Sequence, residues 1–187
     1  MKKIILAITG ASGSLYAVEF VKLLQPLDVE VHGIISSAGE KVFQLETGMK
    51  PSELPGIRKW FAIDNFAAAV ASGSARFDAM VVLPCSMGTL GAIAGGLSIN
   101  LIHRAADVML KEKKPLVLAV RETPLNRNHL SNMLRAAEAG AIICPAMPAF
   151  YHLPGSLAEM ARHFAGRVAA QIGIQVPGLK EWSGIDV

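Results

Sequence analysis

With 187 residues, 52% of them apolar, and a mean hydropathy of +0.41, the chain can bury a full hydrophobic core in one domain. A formal charge of +3, without a lysine-arginine block or aromatics interleaved among basic residues, leaves nucleic-acid binding unsupported and suits small anionic ligands. The longest uncharged stretch, Ala79 to His103, holds Pro84, several glycines and hydroxyls, so it makes a poor membrane-spanning helix, and the apolar excess points to subunit contacts instead.

The start, "MKKIILAITG", pairs a short basic end with an apolar run too brief for a secretory signal, and no A-x-A cleavage site follows. It reads as a first strand, Lys3–Thr9, in a cytoplasmic protein. Helix Ser14–Leu24 and strand Val29–Ile35 come next, then helix Gly39–Leu45. The stretch "TGMKPSELPGIRKW" is the least regular and is expected to be a mobile loop, with a weaker strand near Arg58–Ile63. Helix Asn65–Ser72, strand Ala79–Leu83 and helices Thr89–Ala94 and Asn100–Lys113 follow. The remainder reads as strand Leu116–Val120, helix Asn128–Ala139 ended by Gly140, strand Ala141–Cys144 and helix Ser156–Ile172. An irregular tail from about residue 174 can reach a neighbouring subunit. Continuous apolar runs alternating with helical patterns predict an α/β fold: a Rossmann-like doubly wound parallel sheet in three αβα layers, as one domain over 1–187.

In such sheets ligands bind beyond the carboxyl ends of the strands. Four of these ends carry chemistry. The first gives Thr9, Gly10, Ala11, Ser12 and Gly13; the second gives Ser36 and Ser37. The strand ending at Leu83 gives Pro84, Cys85, Ser86, Met87, Gly88 and Thr89, and the next gives Arg121, Glu122 and Thr123. The loop "ITGASGSLYA" exposes backbone N–H groups before a helix, which makes it a candidate anion cradle. It is GxxG rather than GxGxxG, and no acidic residue closes the second strand, so the dinucleotide fingerprint is incomplete. No Gly-Lys-Ser or Gly-Lys-Thr marks a P-loop. With Ser86 and Thr89 added, a mononucleotide such as FMN fits better.

Arg104, Asp107 and Lys111 fall at i, i+3 and i+7, one stripe of a helix. A solvated stripe tied by local ion pairs is the ordinary reading. Yet Arg121, beside Glu122, and Arg167 make four cations able to surround a phosphoryl group. Tyr151 stands in "PAMPAFYHLPGS", where three prolines stiffen the backbone. No metal-binding spacing or aspartate cluster is present, so no metal is expected. Cys85 and Cys144 each adjoin a proline and read as reduced, buried strand-end residues rather than nucleophiles.

The stretches "TGASGS", "PCSMGTL", "RAADVMLKE", "VRETPL", "HLSNM" and "PAFYHLP", in this order, resemble the flavin prenyltransferases of the UbiX type, from Lys3 to about Trp182. The resemblance implies a Rossmann-like flavoprotein assembled as a homododecamer, with sites at subunit interfaces. It implies transfer of a dimethylallyl group from dimethylallyl monophosphate to N5 and C6 of reduced FMN, which is a substrate here, without a metal. The prenylated FMN would serve a UbiD-type decarboxylase. FMN contacts would fall on Gly10, Ala11, Ser12, Ser36, Ser86, Met87, Gly88, Thr89, Arg121 and Trp182. Prenyl-phosphate contacts would fall on Arg104, Lys111, Arg121, Glu122, Tyr151 and Arg167. Catalytic roles would map to Ser12, Glu46, Lys111 and Glu122, with Glu46 and Glu122 as candidate proton acceptors. Ile99, where relatives often carry an acidic or amide residue, and the short tail beyond Trp182 depart from the family pattern. Two alternatives stand beside this reading. A flavin-dependent cysteine decarboxylase of related fold is disfavoured because "PAMPAFYH" lacks that group's asparagine and tryptophan. A non-catalytic FMN carrier would have no use for a second phosphate site.

Overall fold

The computed structural model describes residues 1–179. Six parallel strands lie in the order β3-β2-β1-β4-β5-β6: β1 Lys2–Ile8, β2 Val29–Ile35, β3 Ile57–Phe61, β4 Ala79–Cys85, β5 Leu116–Val120 and β6 Ile142–Ile143. Six helices join them: α1 Ser14–Leu24, α2 Ser37–Thr47, α3 Met87–Ala94, α4 Leu101–Lys111, α5 Arg127–Glu138 and α6 Leu157–Gln171. The doubly wound parallel sheet expected from the sequence is the architecture found.

The alternation of side chains along each strand builds two cores. Ile4, Leu6 and Ile8 of β1 face α1 and α6, packing with Phe20, Phe43, Phe164 and Val168. Ile5 and Ala7 face the opposite layer, where Met80, Val82, Leu101, Ala105 and Met109 close the other core. Most helices start on a side chain that accepts a backbone N–H. These caps are Ser36 for α2, Ser86 for α3, Asn100 for α4, Asn126 for α5 and Ser156 for α6. The uncharged stretch that opens at Ala79 divides into β4 and α3, with a turn at Gly95 and Gly96 before α4. Among the described residues no helix is long and apolar enough to cross a membrane.

Three expectations are corrected. No helix spans Asn65–Ser72; the alanine-rich run makes only a 3-10 turn at Ala69–Ala71. Asn65 Oδ1 accepts the Ala67 N–H at 3.2 Å, a local bond that competes with the helical pattern. Only Ala68 and Val70 of the run are buried, too little apolar surface to drive a helix. The irregular stretch expected as a mobile loop carries defined local structure: a 3-10 turn at Pro51–Glu53 buries Pro51 and Leu54, and the Glu53 carboxylate accepts the Lys50 N–H at 2.6 Å. The last strand shrinks to two residues, Ile142–Ile143, at the sheet edge.

Phe43 is fully buried on α2, one turn before Glu46. Replacing Phe43 with alanine should destabilise the protein by about 3–5 kcal/mol, read as a lower urea midpoint at unchanged slope.

Candidate functional site

The strand order reverses between β1 and β4, and the crevice opens at their carboxyl ends. Thr9, 1% exposed, joins the two strands there. Its hydroxyl donates to the Pro84 carbonyl at 2.7 Å and accepts the Ser86 N–H at 2.8 Å. The Arg121 N–H donates to the Cys85 carbonyl at 3.1 Å, so β5 delivers Arg121 and Glu122 to the same edge. Both side chains are exposed there, and a Glu122 carboxylate oxygen accepts the Thr123 N–H at 3.0 Å.

The first loop is not a vacant anion cradle. Glu46, on the last turn of α2, accepts the Gly13 N–H at 3.0 Å and the Ser14 N–H at 2.7 Å. A protein carboxylate thus caps α1, whose preceding residue, Gly13, offers no side-chain cap. Burial alone would raise the Glu46 carboxyl. Hydrogen bonds from the Ser12 side chain and from Ser14 and Gly13 outweigh burial and hold the group below the usual carboxylate range. Glu46 is therefore an anion at neutral pH, able to accept a proton but not to donate one. Gly10 and Ser12 are exposed along this loop, and Ala11 is buried beneath it.

The start of α3 is the other candidate anion position at this edge. Ser86 caps that helix, its hydroxyl accepting the Thr89 N–H at 3.4 Å and donating to the Thr89 hydroxyl at 3.2 Å. A side chain built at Gly88 would meet nothing within 4 Å, so the first turn of α3 borders open space at Gly88. At the start of α2, by contrast, a Cβ on Gly39 would sit 2.7 Å from the Ile8 carbonyl oxygen, and Ser36 serves as a tightly packed cap.

A cavity of about 590 Å³ opens on the α6 side, lined by Cys144, Met147, Tyr151, Phe164 and Arg167 among others. Tyr151 and Arg167, 16 residues apart in sequence, share this cavity and put a phenol and a guanidinium along an apolar wall. Tyr151 packs edge-on to His163 with centroids 5.7 Å apart, and His163 stacks on His152 at 3.8 Å. Burial pushes the Cys144 thiol up while the nearby Arg167 charge draws it down. Burial pushes the Cys85 thiol up to about 12. Neither is a thiolate near neutral pH, as their placement at apolar strand ends suggested.

Lys111 is not brought to this crevice within one chain, and Arg104, near the start of α4, is tied to local partners. Arg104 on α4 donates to the Ala71 carbonyl at 3.1 Å and pairs with Asp107 at 2.8 Å. Lys111 pairs with Glu112 rather than joining that stripe. Helix α4 runs antiparallel to the strands, starting beside Ile63 beyond β3 and ending beside Pro115 and Phe77, which precede β5 and β4. Lys111 accordingly lies at the amino edge of the sheet, away from Ser12 and Arg121. Trp182 lies outside the described residues. Among the described residues no three His, Cys, Asp or Glu side chains are grouped to hold a metal ion.

The sequence reading missed Tyr16 and the Glu46 cap. Tyr16 is a polar-tipped aromatic on the first turn after the glycine loop, a position that could have drawn notice. Nothing in the sequence marks Glu46 as the partner of Gly13.

Residues 1–162 match the family model for flavoproteins. The flavin prenyltransferase UbiX of Methanothermobacter thermautotrophicus is 44% identical, over the whole of this chain and 98% of that protein. A UbiX crystal structure in complex with FMN and dimethylallyl pyrophosphate superposes with a TM-score of 0.96 at 40% identity, covering 99% of both chains. A dodecameric FMN-dependent UbiX-like decarboxylase from Escherichia coli O157:H7 gives a TM-score of 0.94 at 38% identity, covering 97% of this chain and all of that one.

Proposed function

This chain belongs to the flavoprotein family, among the UbiX flavin prenyltransferases, and on that premise we propose that it moves a dimethylallyl group from dimethylallyl monophosphate onto reduced FMN. The observation that carries this reading is the pairing of two anion sites of different character: the open start of α3 at Gly88, and the Tyr151–Arg167 cavity on the α6 side. A carrier of FMN needs only the first.

Reduced FMN, when bound, supplies the N5 and C6 positions that accept the five-carbon group. Ser86, Thr89 and the α3 N–H groups hold its phosphate, while Gly10, Ala11, Ser12, Ser36 and Arg121 line its path. Arg167, Arg121 and the Tyr151 hydroxyl take up the negative charge that builds on the departing phosphate as the allylic C–O bond breaks. Holding both partners at contact distance removes most of the entropic barrier to bond formation. Alkylation would release the N5 proton, and ring closure would release the C6 proton while the prenyl alkene takes one up. Glu46, anionic and anchored beside Ser12, is positioned to receive a released proton, with Glu122 as the other carboxylate at this edge.

Lys111, which one chain keeps away from its own crevice, and Arg104 on the same helix reach a site when a neighbouring copy presents α4 to it. This supports assembly as a homododecamer with shared sites, the state of the E. coli relative. The exposed Met147, Phe150, Leu153 and Leu157 near the cavity supply apolar surface for such contacts. Two free cysteines fit a cytoplasmic location, and a UbiD-type decarboxylase is the recipient of the product.

Incubating the protein with reduced FMN and dimethylallyl monophosphate, followed by mass spectrometry of the flavin, tests the reading. A five-carbon mass gain is expected. Recovery of unmodified FMN from protein that binds it tightly would make the chain a carrier.

A further inference from the structure

Tyr16 sits where the parts of the site meet. It lies on the first turn of α1, three residues past Gly13. Gly13 has φ of 119°, and a Cβ there would stand 2.8 Å from Tyr16 Cδ2 and 3.8 Å from Pro84 Cβ. The ring thus lies directly against the turn whose N–H group donates to Glu46. On its other side it meets Phe164 of α6, with centroids 4.9 Å apart and planes tilted by 59°. Phe164 lines the cavity together with Arg167, three residues on and on the same helical face. The phenol also stands in the fields of two further site residues. Burial raises its pKa most, the Arg121 charge lowers it and the Glu46 charge raises it, so the hydroxyl stays protonated.

We propose that Tyr16 is a positioning residue of the transfer site, its ring wedged between the Gly13 turn and Phe164 so that the Glu46 side and the Arg167 wall keep one fixed separation. The proposal rests on the prenyl-transfer reading, because separation matters only if two bound partners must meet. The rigid ring touches the backbone of the Gly13 turn with its Cδ2–Cε2 edge and also meets Phe164, a side chain from an element far away in sequence. An aliphatic replacement cannot span the same gap, and α6 would settle toward the loop. Displacements of this size at a reacting pair cost on the order of 10²-fold in rate.

The test uses the full-length protein and three variants, Tyr16→Leu, Tyr16→Phe and Phe164→Leu. Turnover of reduced FMN with dimethylallyl monophosphate is followed by mass spectrometry, and FMN affinity is measured by titration. Tyr16→Leu is expected to lower kcat about 10²-fold while the FMN Kd changes less than about threefold, since the α3 phosphate site is untouched. Tyr16→Phe, which keeps the ring, should restore kcat to within about threefold of the parent. Phe164→Leu should reproduce part of the loss from the other side of the contact, and the double variant should fall short of the summed losses. A Tyr16→Leu protein with parental kcat overturns the proposal. So does a Tyr16→Phe protein as slow as Tyr16→Leu, which would transfer the role to the hydroxyl. If Tyr16→Leu does not fold, Phe164→Leu decides, and parental kcat in that variant overturns the wedge. A parent protein that forms no prenylated flavin defeats the transfer reading instead. The wedge is then judged from a crystal structure of Phe164→Leu or Tyr16→Leu. A shift of Arg167 relative to Gly13 supports it, and an unmoved α6 overturns it.

Discussion

Replacing Arg167 with alanine is expected to lower kcat by about 10²–10³-fold, the loss found when one fixed charge or donor is removed from a developing anion. The physical reason is where the guanidinium sits. It lines a cavity of about 590 Å³ with Phe164 and Met147, and is exposed in the single chain. Once bound flavin and a neighbouring copy cover the cavity, its charge interacts with the leaving phosphate more strongly than it would in open water. Arg167→Lys keeps the charge but loses the planar pair of donors, so it should recover only part of the rate. FMN affinity should be unchanged, because its phosphate is assigned to the start of α3 on another wall. Rapid-mixing measurement of single turnovers with dimethylallyl monophosphate checks this. Equal loss of FMN binding and turnover would show that the two anion sites are one.

Glu46→Gln should reduce turnover by about 10²–10⁴-fold, the range for loss of a positioned proton acceptor, with FMN binding spared. In the parent, the carboxylate accepts the Gly13 and Ser14 N–H groups at 3.0 and 2.7 Å. A glutamine oxygen can still accept one of them, so the loop stays folded, but the amide accepts no proton at neutral pH. The same substitution should alter the acid limb of stability. Hydrogen bonding lowers the folded-state pKa of Glu46 below its unfolded value. Its stabilisation is therefore fully present above the unfolded pKa of about 4.3, and is lost as pH falls through the lower folded value. Glu46→Gln should lie below the parent in thermal midpoint near neutrality, and the gap should narrow as pH drops below about 4. Parental turnover in this variant would transfer the proton-accepting role to Glu122.

The layered fold was legible in the sequence because each element carries its own signal. Continuous apolar runs marked β1, β2, β4 and β5, and β2 and β5 fall on the expected residues, as does α1. Helices α4 and α6 start within one residue of the expected positions, at their capping residues Asn100 and Ser156, whereas α2 and α3 start two residues earlier than expected. Apolar runs and caps are short-range effects, settled within a few residues. Strand ends bearing glycines and hydroxyls likewise located the crevice, because a doubly wound sheet leaves its ligand edge in one place. Where local signals were weak the reading failed. The run at 65–72 had helix propensity but no apolar face, and a side-chain bond from Asn65 broke it.

Only the tertiary structure decided who meets whom at the site. Glu46 lies 32 residues beyond Ser14 in sequence, and the packing of α2 on β1 alone brings its carboxylate to the start of α1. The ring contact of Tyr16 with Phe164 spans 148 residues and depends on α1 and α6 sharing one face of the sheet. The same architecture separates residues that the sequence invited us to group: Lys111 follows Arg104 by seven positions, yet α4 carries it to the opposite edge from Arg121. Local bonding energies write elements into a sequence. Contacts between distant elements depend on how sheet order and helix direction place them, and no residue pattern in the chain records that placement.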